Sequence, residues 1–283
     1  MTPRQLLLKA TKQFIDAGVP DPETDSALLL SYLCHRHPLS LRLDAETVLD
    51  PVIINRFNEL AERRSAREPL QYITNQAYFF GRMFYVDSRV LIPRPETELL
   101  CSLALALPFT GEESILDLCC GSGCIGLTIK AQRPSHPVTL SDISADALSV
   151  ANLNAEALHL NVTLHQGDLT EGLPEESFHL VVSNPPYIPT AECPHLQKEV
   201  CSEPSIALDG GADGMDFYRR IIPGAWHVLD NNGFLLMELG INESSRVRAM
   251  LENGGFSGIE IKKDLNGIDR IILARKVSGR AHV

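Results

Sequence analysis

The chain reads as an α/β protein, an open and largely parallel sheet with a small helical bundle ahead of it. Two observations predict this. Four short strand-like runs, at residues 114–118, 138–142, 162–165 and 177–183, follow one another and bring their ends to one edge, as in an open parallel sheet. The first ends in a Gly-rich turn, Cys119-Cys120-Gly121-Ser122-Gly123, and the last in Asn184-Pro185-Pro186-Tyr187, whose two prolines let neither sheet nor helix continue.

Composition sets the frame. A chain of 283 residues holds one large α/β domain and a small one. Hydrophobic residues make up 44%, and no run approaches the roughly 18 apolar residues of a membrane span. Leu6-Leu7-Leu8 is too short for a signal-peptide core. Seven cysteines, an odd number at irregular spacing, argue against a disulfide framework, so a soluble cytoplasmic enzyme is expected. Cys119, Cys120 and Cys124 lack a second CxxC or a His pair at ligand spacing, and His35 and His37 read as helix-end residues. No metal is expected. The net charge of −11 counts against stable binding to bare nucleic acid and suits a partner with a basic face.

Residues 1–68 read as the helical bundle. Thr2-Pro3 is a cap followed by a first-turn proline, and Leu6, Ala10, Phe14 and Ala17 recur on one face before Gly18. Asp21-Pro22 opens a second helix carrying Ala27 to Leu33. Asp50-Pro51 opens a third with Ile53, Phe57, Leu60 and Ala61 inward. Residues 69–95 change period: strand, turn and strand around Gly81, then an extended run from Arg89 to Ile92, read together as a hairpin linker. Residues 96–283 form the sheet domain. Glu96 to Leu107 is its first helix, and a second starts at Cys124. A stretch of about 25 residues between Ile188 and Asp213 is long enough to be functional and reads as part of a substrate cleft. Within it Glu203 is either a structural salt bridge or a cleft residue. Met215 to Val228 is a helix, Gly233 to Leu239 a fifth strand, 243–253 a helix, and Ile259–Ile261 and Asp269–Leu273 a closing antiparallel pair.

The strand ends carry the chemistry. A Gly-rich turn lets a ligand approach the backbone. Asp142 ends the second strand about 20 residues further on, the distance at which a carboxylate accepts from ribose hydroxyls. Asp168 ends the third strand with Leu169 beside it, placed to accept from an adenine amino group while the leucine covers the ring. Asp117 either reaches a ligand amine or has a strand-end structural role. At the fourth strand end, Asn184 offers the carbonyl of its amide and Pro185 that of its backbone, with no proline N–H to compete. Two acceptors hold both N–H groups of a planar nitrogen, an amide or aromatic amine whose lone pair is delocalised. Tyr187 adds a flat face.

These residues together resemble the class I S-adenosylmethionine-dependent methyltransferases, and more closely the PrmC/HemK family, which methylates N5 of a glutamine in peptide chain release factors. The likeness covers nearly the whole sequence. It rests on Leu91-Ile-Pro-Arg-Pro-Glu-Thr-Glu98, the Gly turn, Ser141 to Leu148, Asn184 to Tyr187, Glu203 to Leu208 and Asp213-Gly214. The resemblance implies a Rossmann-like sheet of seven strands with the last pair antiparallel. It implies S-adenosyl-L-methionine over Cys119, Cys120, Gly121, Ser122 and Gly123, with Asp142 on the ribose, Asp168 and Leu169 at the adenine, and Asn184 beside the cofactor. S-adenosyl-L-homocysteine would be the product. Asn184, Pro185, Pro186 and Tyr187 would hold the glutamine of a Gly-Gly-Gln tripeptide in class-1 release factors, modulating translation termination, and the bundle would recognise the protein substrate. The family usually has Gly at the position of Cys119, so this cysteine must adopt the turn's backbone without glycine's freedom. A DNA or RNA adenine methyltransferase would use the same acceptor pair, but the acidic charge and the lack of a basic domain disfavour it. A non-catalytic cofactor-binding adaptor would not need Asn184 and Tyr187.

Overall fold

The computed structural model describes residues 1–43 and 47–277. The chain divides into two compact units. One is Met1–Gln76 with Gln197–Ser202, and the other is Ala77–Leu196 with the residues from Glu203 onward.

The first unit is helical: α1 (Pro3–Asp16), α2 (Pro22–Cys34), α3 (Pro38–Leu43), α4 (Pro51–Ser65) and α5 (Leu70–Thr74). Thr2 opens α1 with a reciprocal cap. Its hydroxyl accepts from the Gln5 N–H at 3.4 Å, and the Gln5 side chain accepts from the Thr2 N–H at 3.1 Å. Leu6, Ala10 and Phe14 of α1 meet Leu29 and Leu30 of α2 and Phe57 and Leu60 of α4 in the core. Residues 197–202 come from the long segment after the fourth strand of the sheet, yet they belong with these helices. There Glu199 accepts from Arg64 at 2.8 Å and from both ends of the Arg67 guanidinium at 2.6 Å.

The second unit opens with a hairpin, β1 (Ala77–Phe79) and β2 (Arg82–Phe84). Its two turn residues, Phe80 and Gly81, both have positive φ, as the tight hairpin turn that suits strand twist requires. Then come α6 (Glu98–Ala106), β3 (Ile115–Leu118), α7 (Cys124–Gln132), β4 (Val138–Asp142), α8 (Ala145–Ala157), β5 (Thr163–Gln166) and β6 (Phe178–Ser183). The unit closes with α9 (Asp216–Val228), β7 (Leu229–Glu238), α10 (Ser244–Asn253), β8 (Ser257–Lys263) and β9 (Asp269–Arg275). The seven-stranded sheet has the order β5-β4-β3-β6-β7-β9-β8, with β9 antiparallel to both β7 and β8. Leu180 and Val182 of β6 face the layer of α6, α7 and α8, and Val181 faces the layer of α9 and α10, following the strand's two-residue period. The path moves outward from β3 to β5 and then returns to place β6 on the other side of β3. That reversal opens a crevice at the carboxyl ends of β3 and β6, where open α/β sheets take their ligands.

Three local expectations are revised. Residues 89–92 form no strand. Asp87 instead accepts from the Arg89 N–H at 3.0 Å and turns the backbone, and the Ile92 N–H finds a side-chain partner. Helix 96–107 begins as a 3-10 turn, Pro95–Thr97, because two prolines constrain the start of the segment. Strand β7 starts at Leu229, ahead of Gly233, because Leu229 already pairs with Phe178 across a register shift.

Candidate active site

The turn after β3 has its backbone in the left-handed region at Cys119 (φ 60°), Gly121 (φ 53°) and Gly123 (φ 76°). At Cys119 this costs roughly 1 kcal/mol or more relative to glycine. Neighbouring hydrogen bonds hold the shape. The Cys120 N–H donates to the Ser141 carbonyl at 3.0 Å and the Gly123 N–H to the Cys120 carbonyl at 2.8 Å. The Gly121 N–H donates to Asp142 Oδ2 at 2.9 Å. The other oxygen of Asp142 accepts from the Ser144 N–H at 3.0 Å, and Ser144 in turn caps α8 through the Ala147 N–H at 3.1 Å. One carboxylate at the end of β4 therefore ties the turn to the next helix. Burial raises its pKa, opposed by those N–H donors. Asp117 lies beneath the turn, fully buried, where Oδ2 accepts from the Gly126 N–H at 2.8 Å and burial lifts the carboxyl to about 7. It does not line the cavity, and its Oδ1 is buried without a hydrogen-bond partner.

A cavity of about 860 Å³, its mouth included, opens above the turn. It is lined by Cys119, Gly121, Asp142, Asp168, Leu169, Asn184 and Pro186 among the residues singled out from sequence. Its apolar walls are Leu91, Leu118, Ile143 and Phe217. Asp168 is half-exposed and accepts from Arg220 at 2.6 Å. Leu169 has φ 55° and is buried. Cys120, Ser122 and Gly123 do not line the cavity; they are buried in the turn, where the Ser122 carbonyl accepts from Asn154 at 2.9 Å. Burial pushes the Cys119 thiol far above its ordinary pKa, so it is a neutral wall. Among the described residues, no group of three or more His, Cys, Asp or Glu side chains is placed to hold a metal ion. No described helix is long and apolar enough to cross a membrane.

The Asn184–Tyr187 segment follows β6, whose last residue, Ser183, donates to the Leu118 carbonyl at 2.7 Å and locks the two strand ends together. Pro185 is buried and Tyr187 half-buried, packed against the core on the α9 side. Asn184 Nδ2 donates to Thr97 Oγ1 at 3.2 Å. The Thr97 hydroxyl donates to Glu238 Oε2 at 2.6 Å, and the Tyr187 hydroxyl to Glu238 Oε1 at 3.1 Å. Glu238 is 1% exposed, and burial raises its pKa against those two donors. Sequence reasoning assigned no role to Thr97 or Glu238. The available signal was a lone carboxylate ending the apolar run Phe234–Met237.

The return of the long segment sets the position of Tyr187. The Ile188 N–H donates to the Leu208 carbonyl at 3.0 Å and the Gly210 N–H to the Ile188 carbonyl at 2.8 Å. Gly214, at φ 76°, passes so close that a Cβ there would lie 2.5 Å from the Tyr187 carbonyl oxygen. Glu203 is buried and accepts from the Ile92 N–H at 2.9 Å and from Arg94 at 2.6 Å. Of its two readings, the structure shows the salt bridge; Pro204 beside it lines the cavity.

The chain resembles known proteins along most of its length. The family described as Methyltransferase small domain matches residues 97–211, and the PrmC N-terminal domain matches 5–74. The release factor glutamine methyltransferase of Clostridium acetobutylicum is 40% identical over 88% of this chain and 90% of its own. The protein of the same name from Geobacter sulfurreducens is 40% identical over 92% of each chain. That of Deinococcus radiodurans is 38% identical over 98% of this chain and 99% of its own. A solved methyltransferase from Pyrococcus furiosus shares the fold, with a TM-score of 0.53 at 18% identity over 70% of this chain and 91% of that one.

Proposed function

We propose the following function for this protein, which belongs to the release factor glutamine methyltransferase family: it transfers a methyl group from S-adenosyl-L-methionine to N5 of the glutamine in the Gly-Gly-Gln tripeptide of class-1 release factors, in the cytoplasm, and releases S-adenosyl-L-homocysteine. The observation that carries the reading is Asn184 on the cavity wall at the carboxyl end of β6, next to the glycine turn at the end of β3.

The residues present fit the cofactor. Gly121 borders the cavity with open space where a Cβ would stand, so a ligand can lie against the turn. Asp142 borders the cavity with lone pairs left over after its two N–H partners, suiting ribose hydroxyls. Leu169 supplies an apolar cover, and Asp168 accepts from the adenine amino group while Arg220 holds its other side. Cys119 and Gly121 face the cavity and form the bed, and Cys120, Ser122 and Gly123 hold the turn's shape behind them. When bound, the cofactor supplies an electrophilic methyl group on a sulfonium.

The rest is the work of the protein's own side chains. A carboxamide nitrogen is a weak nucleophile because its lone pair is delocalised. Asn184 Oδ1 accepts one N–H of the glutamine amide and the Pro185 carbonyl accepts the other, while Pro186 and Tyr187 pack against the group. Both acceptors point at a nitrogen that becomes positive as the new bond forms, so they bind the transition state better than the ground state. The amide gains acidity as it reacts, so its proton leaves late, without a strong base. Catalysis is then mainly positioning and electrostatic stabilisation.

The helical unit we assign to recognition of the release factor, a large substrate whose glutamine loop alone offers few contacts. A partner with a basic face suits the net charge of −11, and stable nucleic-acid binding does not. Incubation of the protein with labelled cofactor and purified release factor tests the activity. One methyl on the Gly-Gly-Gln glutamine by mass spectrometry is the expected result; label in duplex DNA and none in the factor would overturn the reading.

A further inference from the structure

We propose that Thr97 and Glu238 are positioning residues that decide which atom of Asn184 faces the substrate. The inference rests on the reading of Asn184 as an acceptor for the glutamine amide. Three separated segments bring the group together: the turn ahead of α6, the end of β6 and the end of β7.

Against burial, the Thr97 and Tyr187 hydroxyls and the charge of Arg270 favour the ionised form of Glu238, and an ionised carboxylate only accepts. The Thr97 hydroxyl has one proton, and its 2.6 Å contact with Glu238 has the length of a charge-assisted O–H···O⁻ bond. With that proton committed, Thr97 Oγ1 can meet Asn184 only as an acceptor. The side of Asn184 that faces it, at 3.2 Å, must therefore be the NH₂ group. The amide is planar, so its oxygen is left on the side away from Thr97, free to accept from a ligand. Without the carboxylate, Thr97 could donate to the Asn184 oxygen instead, and the amide would turn over and present N–H groups to a substrate that itself offers only N–H groups there. The second carboxylate oxygen accepts a hydrogen bond from the Tyr187 hydroxyl at 3.1 Å, so one buried group orients two side chains of the same segment.

A purely stabilising role does not account for Glu238. It is 1% exposed and forms no ion pair among the described residues; its side chain is hydrogen-bonded by the two hydroxyls, and the charge of Arg270 acts on it only from a distance. A buried carboxylate without a contacting cation is costly, and an apolar residue of similar size would serve stability as well or better. Groups of this kind are kept where they serve a site.

The test measures kcat and KM on intact release factor, cofactor Kd by calorimetry and Tm for Thr97→Val, Thr97→Ser, Glu238→Gln, Asn184→Ala and the double variant Thr97→Val with Asn184→Ala. Thr97→Val keeps the shape and removes the hydroxyl. Glu238→Gln keeps the size and gives the site a donor it did not have. Each is expected to lower kcat by about 10-fold or more, with cofactor Kd within about threefold of the parent, since a mis-set acceptor costs the transition state. Thr97→Ser should recover most of the lost kcat. Because Thr97 acts through Asn184, the double variant should be no slower than Asn184→Ala alone. Full kcat in Thr97→Val while Asn184→Ala is inactive would overturn the positioning role, as would a double variant showing the multiplied losses. An active Asn184→Ala would instead overturn the acceptor reading on which the proposal rests. Should Glu238→Gln fail to fold, the threonine series decides by itself.

Discussion

Gly214→Ala is expected to damage both stability and turnover, and the structure sets the size of each effect. Gly214 sits at φ 76°, where an alanine costs roughly 1 kcal/mol or more. Its new Cβ would lie 2.5 Å from the Tyr187 carbonyl oxygen and 2.6 Å from Glu243 Oε1. The glutamate tip can swing, but the carbonyl is backbone. Tyr187 must therefore move by about half an ångström or more, and overpacking of this kind typically costs about 1–3 kcal/mol. The total, about 2–4 kcal/mol, corresponds to a Tm lower by roughly 5–15 °C for a unit of this size. The same displacement reaches the acceptors on Asn184 and Pro185, and sub-ångström to 1 Å misplacement of reacting groups costs on the order of 10- to 100-fold in rate. Gly267→Ala is the matched control. It has φ 79° and nothing within 4 Å of where a Cβ would stand, so it carries the backbone strain alone. Calorimetric Tm and kcat on release factor are measured for both variants. If Gly214→Ala matches Gly267→Ala in both, the contact with Tyr187 does not position the segment and the reasoning fails.

Asn184→Ala should lower kcat by about 10²–10³ while cofactor Kd stays near that of the parent, because it removes one preorganised acceptor; an equal loss of cofactor binding would make Asn184 part of the cofactor bed. Asp142→Ala should weaken the cofactor by about 10- to 100-fold in a calorimetric titration, the worth of about 1.5–3 kcal/mol for hydrogen bonds to a charged group, and unchanged affinity would reject the ribose assignment. In the helical unit, burial raises the Glu199 carboxyl, but hydrogen bonds from Arg67 and Arg64 outweigh it and hold the group at about 2, below its ordinary 4.5. The stability this confers is present in full above the ordinary value and is lost as the pH falls through the folded one, so Glu199→Gln should flatten the fall in urea-measured stability between about pH 5 and 2; an acid limb identical to the parent's would show that the pair contributes nothing.

The parallel strands were legible because a strand buried on both faces must be mostly apolar, and Ile115–Leu118, broken only by Asp117, and Phe178–Val182, broken only by His179, read that way. Their ends were legible because Gly and Pro act within a residue or two of where they stand. The resemblance marked Cys119 as a position where glycine is usual, and the structure shows a left-handed backbone there, φ 60°. Asn184 and Asp142 were found in the same way, as polar residues where apolar runs stop. Local signals misjudged residues 89–92 because the Ile92 N–H is satisfied by Glu203, 111 positions away, and no strand partner is needed.

Steric limits and side-chain periodicity act over a few residues, so where strands stop and which polar groups stand at those stops can be read from the chain. What those groups touch is set by the folded neighbourhood. Thr97 and Glu238 are 141 residues apart and meet because β7 pairs with β6 and carries its terminal carboxylate beside the turn ahead of α6. Asp168 finds Arg220 across 52 residues because α9 packs on the same sheet. The Asn184 amide is oriented by a proton that belongs to Thr97 and a charge that belongs to Glu238. Hydrogen bonds of this kind depend on which strands become neighbours, and that choice is made by burial of the whole sheet, not by any short window of sequence.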